Sequence, residues 1–304
     1  MIGALVSAGA QAVARGLVLA GIMVVIGATL FLLRIAPLFA GDSTQAQQVA
    51  RRTRRLLRLA CLVLALAAVW RLVQQSAAFA DVPSAWPSMV LLVLTQMAWG
   101  TGWGVQMTGL LLAVLASGAA TRRRGAIVPL GIGALILATS PAMMGHAIGA
   151  PRLVPLVVFA DTLHVLAAGG WLGTLLVVAV AALPLASHAA APGRAIAILD
   201  RFSPIALTSA VLIALTGVFA SWMHLETLGA LWSSTYGRTL LVKLGILAGV
   251  AALGAYNWRV ATPALQASGD TRAIRRSALV ELTLAALLVA VTAVLVATPL
   301  PSEM

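Results

Sequence analysis

Charge is what this chain has least of. Only 9% of its 304 residues are Asp, Glu, Lys or Arg, where a soluble globular domain carries about 25%. Cysteine is reduced to Cys61, which excludes an intramolecular disulfide and any CxxC metal or redox motif. No GxxxxGK[ST] loop is present, which argues against a primary pump. Alternation of apolar and polar residues over about 10 positions, the mark of a barrel strand, is missing too. The longest polar connection, 34–55, is too short for a soluble domain. No charged n-region or A-x-A site precedes the first apolar run, so that run is expected to be a retained helix and not a cleaved signal. No internal repeat is visible. Nothing in these residues points to an enzyme.

What remains is apolar. The hydrophobic share is 61% and the mean hydropathy is +1.03. Runs of about 20 apolar residues recur, as membrane-crossing helices require. They predict an all-α, polytopic bundle of eight spans at 12–33, 56–79, 87–115, 126–146, 153–183, 204–224, 238–258 and 278–297. Residues 1–125 hold spans one to three and 126–304 hold spans four to eight, as one integral membrane unit. The net charge of +12 would suggest nucleic acid in a soluble protein. Here it follows the spans, so no nucleic-acid partner is expected. Arg51, Arg52, Arg54, Arg55, Arg58, Arg122, Arg123, Arg124, Arg194, Arg201, Arg259, Arg272, Arg275 and Arg276 fall in alternate connections. The positive-inside rule puts those connections in the cytoplasm and both termini in the periplasm. Gly100 and Gly104, Gly169 and Gly173, and Gly245 and Gly249 are small-xxx-small pairs that allow close helix approach.

Ionisable groups within apolar spans are costly and mark functional sites. Asp161 and His164, three residues apart, share one helix face. Counting 1.5 Å per residue from the outer ends sorts the candidates by depth. His146, His224, Met143, Met144 and Met223 form an outer layer. His164, about 16 Å down, forms a deeper one with Met97 and with Met23 at comparable depth. Imidazole and thioether without clustered thiolates or carboxylates suit Cu(I) better than Mg(II), Ca(II) or Mn(II). Two layers at different depths describe a path across the bilayer. Asp161 can orient the imidazole, take a proton, or pair with Lys243. Glu281 is expected to pair with Arg201, Arg259 or Arg276. A second reading is haem b. Bis-histidine ligation needs two histidines at one depth, which His146 and His164 do not offer, but His164 with Met97 does.

Several segments carry a resemblance. They are GHA (145–147), DxxHVLAAxxWLG (161–173), RFSPIAL (201–207), TG (216–217) and YGRTLLVKLGIL (236–247), with Asn257 and Glu281. In this order they resemble the copper resistance D family of bacterial inner-membrane proteins, most closely from Gly145 onward. The resemblance implies eight helices, copper handling (often uptake across the inner membrane) and a copper role for His146 and His164. No fused periplasmic copper-binding domain is expected, and a separate copper-carrying partner is expected in its place. A copper-holding subunit that does not transport is the remaining alternative.

Overall fold

The computed structural model describes residues 3, 6–145, 152–186, 192–225, 227–268 and 272–298. Among them there is no strand. Nine helices are used below: α1 (Ala8–Arg34), α2 (Ser43–Ala78), α3 (Trp86–Gln96), α4 (Ala98–Ala120), α5 (Ile127–Met143), α6 (Val154–Ala186), α7 (Pro192–His224), α8 (Thr235–Ala267) and α9 (Arg272–Ala297). All but the 11-residue α3 belong to spans long and apolar enough to cross a bilayer; α5 does so with the preceding 3-10 turn, as Arg124–Met143.

Local chemistry sets the ends. Ser7, Asp42 and Ser234 cap α1, α2 and α8 by accepting the free N–H groups of Ala10, of Thr44 and Gln45, and of Gly237. Pro37 follows the end of α1, and Pro87 and Pro155 open α3 and α6, where a missing N–H is harmless. Leu153 takes a left-handed φ of 56° just before α6, a strained setting for a branched side chain.

Side-chain bonds between distant residues fix which helix ends meet. Arg15 of α1 donates to the carbonyl of Val296 in α9 at 2.7 Å, so the start of the first span and the end of the last lie together. Arg54 meets Thr121 at 3.2 Å, and Arg194 bonds Gln45 and stacks over Phe39. The arginine-rich connections therefore gather at the opposite end of the bundle.

Helix α1 is central, packed against α2, α5, α6 and α9. Its Ile22, Val25, Ala28 and Phe31 are fully buried, with Leu57 and Leu64 of α2 and Leu130 and Leu137 of α5. The tightest crossing joins α1 to α6. A Cβ added to Gly27 would lie 2.0 Å from the Gly173 carbonyl carbon, and one added to Gly173 would lie 1.9 Å from the Met23 oxygen. Gly169 packs against Ile26. Of the small-residue pairs, Gly169 and Gly173 make close contacts, Gly100 abuts the carbonyls of Val93 and Leu94, and Gly104, Gly245 and Gly249 face open space. Outer helices turn apolar stripes outward: on α7, Leu207, Val211, Leu215, Val218 and Trp222 are all exposed, as lipid contact requires.

The third span differs from its sequence reading. Residues 87–115 do not form one helix; the chain breaks at Met97, whose φ and ψ of −112° and 142° are extended. Gly100 sits under the carbonyls of the preceding turn, and the kink depends on its lack of a side chain. Two five-residue π stretches, Gly169–Gly173 and Val178–Ala182, interrupt α6, and a third, Asn257–Ala261, interrupts α8. Such stretches often accompany functional sites.

Candidate functional site

The candidate site is built around His164. It lies on α6 one turn before the Gly169–Gly173 stretch, and Thr216 of α7 holds its ring, Oγ1 to Nδ1, at 2.8 Å. The Thr216 hydroxyl has one proton, and its 2.6 Å contact with the Leu212 carbonyl uses it. Toward the imidazole Thr216 can then only accept. In that tautomer Nδ1 carries the proton and Nε2 keeps its lone pair. A metal-binding histidine has the same arrangement, with one nitrogen anchored and the other free. Gly217 stands beside the ring, where an added Cβ would sit 3.9 Å from the imidazole Cε1. The Thr216–Gly217 pair thus supplies both the anchor and the room.

His164 lines a cavity of about 80 Å³ shared with Met23, Trp171, Ile213, Lys243 and Thr292, among apolar neighbours from α1, α6, α8 and α9. The volume suits an ion with a few waters. The α1–α6 crossing places Met23 there, because its carbonyl rests against Gly173. Asp161, one turn from His164, acts electrostatically on Lys243 and on the Tyr236 phenol. Lys243 lines the cavity with His164, and Asp161 does not.

The other predicted residues distribute as follows. His146 lies outside the described residues, as does the side chain of His224. Met143 and Met144 pack on Gly102 of α4, and the Met144 sulfur also takes a 4.0 Å contact from the Arg71 guanidinium, which stacks over Trp99. Met223 joins Ala142, Val157, Val158 and Phe219 in a small apolar cluster between α5, α6 and α7. Met97 sits at the α3–α4 break and does not line the His164 cavity. No group of three or more His, Cys, Asp or Glu side chains able to hold a metal occurs among the described residues. The sequence reading missed Thr216 as the imidazole's anchor. Its signal was a hydroxyl and a glycine side by side within an apolar helix.

Two family descriptions match the chain. Residues 196–295 match Copper resistance protein D, and residues 6–152 match Copper resistance protein D-like, N-terminal domain. The chain belongs to the copper resistance protein D family. A curated relative is the Copper transport protein CutJ of Bacillus subtilis (strain 168), 28% identical over 227 residues. That alignment covers 70% of this chain and 41% of the relative, so the chain spans less than half of the relative's length. No solved structure matches. This copper resistance D protein is multi-pass, with eight candidate spans, and it carries both matched regions in one polypeptide. The His164 anchor bridges them: its cavity draws Leu19 and Met23 from the N-terminal match and Ile213, Lys243, Leu247 and Leu288 from the C-terminal one.

Proposed function

We propose that this protein is a copper permease of a bacterial inner membrane, importing Cu(I) through a midplane site at His164. The observation that carries this reading is the contact of His164 Nδ1 with Thr216, which leaves Nε2 to face a ligand, on a residue that shares a small cavity with Met23. Imidazole and thioether together favour a soft monovalent ion. Both chain ends face the periplasm and the arginine-rich connections face the cytoplasm, as the charge distribution favours. His146 and His224, with the thioethers of Met143 and Met223, form the entrance layer. Met144, with a guanidinium at its sulfur, forms its wall. A separate periplasmic protein delivers the copper. A cavity of about 80 Å³ suits an ion better than haem b, since cofactor pockets run to about 300 Å³ and more.

Vesicles reconstituted with the purified chain are expected to accumulate Cu(I) faster than empty vesicles. No difference, with copper still bound to the protein, would favour a copper-holding subunit. Thr216→Val keeps the shape of the side chain but removes the acceptor of the Nδ1 proton. It is expected to weaken Cu(I) binding by roughly 10-fold, the lower end of what losing an outer partner of a ligand costs. Competition against a Cu(I) chelator measures this, and unaltered affinity would show that Thr216 does not set the imidazole.

A further inference from the structure

A second polar cluster lies toward the arginine-rich end of the bundle, apart from the His164 cavity. Glu281 of α9 is only 6% exposed and sits five residues inside Arg276, about 8 Å along the helix. The arginines expected to neutralise it do not: among the described residues Glu281 forms no ion pair. Its partner is Asn257, whose amide lies 2.5 Å from Oε1, at the start of the π stretch Asn257–Ala261. Asn257 Oδ1 and Ser277 Oγ are buried without a hydrogen-bond partner. Ser277 is four residues before Glu281, on the same helix face.

A carboxamide partner can serve either protonation state of a buried acid. The two ends of a carboxamide are nearly isosteric, so either can face the acid. With the amide oxygen inward, a protonated Glu281 donates to Asn257 Oδ1, and no bare negative charge is left in the apolar interior. When the proton leaves, the amide turns and its N–H donates to the carboxylate. An asparagine can serve both states of the acid, which an arginine partner cannot.

The surroundings leave Glu281 free to exchange charge. Among the elements packed on α9, α6 from Thr174 to Ala182 and the helical stretch Thr262–Ser268 hold no titratable side chain. Helix α1 has Arg34 at one end and Arg15 at the other, the latter bonded to Val296. On α8, Tyr236, Arg238 and Lys243 lie in the far half, Tyr256 precedes Asn257, and Arg259 stacks over Trp258 at 5.8 Å. Arg272, Arg275 and Arg276 stand at the mouth of α9 itself.

We propose that Glu281, with Asn257 and Ser277, is a proton-binding site near the arginine-rich mouth of the bundle, loaded and emptied as cargo passes. The second clause rests on the transport reading above, while the proton site does not. Infrared difference spectra of the purified full chain, between acidic and alkaline buffer, test the site. The expected result is a carboxylic-acid C=O band that survives Asp161→Asn, is lost in Glu281→Gln and changes frequency in Asn257→Ala. Glu281→Asp keeps the band and serves if Glu281→Gln fails to fold. A spectrum unchanged by Glu281→Gln overturns the site, and one unchanged by Asn257→Ala removes Asn257 from it. Vesicles loaded with a pH-sensitive dye test the coupling. Wild type is expected to move protons with Cu(I), and Glu281→Gln to move Cu(I) without them. Equal proton movement in both overturns the coupling. If neither moves Cu(I), the transport reading falls, and the infrared result still decides the proton site.

Discussion

Copper uptake by vesicles carrying His164→Ala is expected to fall to the level of empty vesicles, with the protein still folded. Losing a partner behind a metal ligand costs about 10–100-fold in affinity, and losing the ligand itself should exceed that. The structure also indicates why the fold survives. Thr216 keeps its hydroxyl proton on the Leu212 carbonyl when the imidazole is gone, so no buried donor is orphaned, which is the expensive outcome of such a deletion. What is lost is packing around a cavity that already exists. Met23→Leu is the matched test of the thioether: it keeps the volume and removes the sulfur, so it should weaken uptake less than His164→Ala. Uptake unchanged by His164→Ala would remove His164 from the copper path.

The largest structural effect is expected at Gly173. Valine there would press its Cβ to 1.9 Å from the Met23 oxygen, against backbone that cannot rotate away. Overpacking of a core costs about 1–3 kcal/mol when side chains can adjust. Here only separation of α1 from α6 relieves the clash, so the loss should reach at least about 3 kcal/mol of a total that is typically 5–15 kcal/mol. Gly245→Val on α8 is the control. Its Cβ would enter open space, and a change within about 0.5 kcal/mol is expected. Thermal unfolding of both variants in detergent compares them; similar midpoints would mean that the α1–α6 crossing is looser than its geometry implies.

The sequence made the eight spans legible because a bilayer demands long apolar runs, and no other feature imitates that signal. His164 was legible for a related reason: a titratable ring in such a run stands out. Less could be read where polar residues continue a helix beyond its apolar part. Residues 43–55 look like a link, yet they form the first turns of the 36-residue α2, capped by Asp42 and carrying Arg51, Arg52, Arg54 and Arg55. The break at Met97 and the three π stretches have no signature in hydropathy, since both sides of each are equally apolar. Partner choice was hidden as well. Spacing alone points Asp161 toward His164, but Thr216, 52 residues away, reaches the ring. Glu281 was matched to arginines by charge, and an uncharged asparagine holds it. Apolar membrane helices give few hints of which face meets which neighbour, because every face is apolar.

The crossing of Gly27 and Gly173 has a mechanical consequence. With main chain resting on main chain, α1 and α6 can tilt about that point but cannot slide past each other, which makes it a fulcrum. In their most apolar windows 72% of residues of α6 are buried, but only 22% in α7 and 11% in α8. On the transport reading proposed above, rocking that opens the bundle to one side and then the other would fall first to α7 and α8. These are the arms that carry Thr216 and Lys243, so the same movement that admits an ion would loosen the grip on the imidazole and release it.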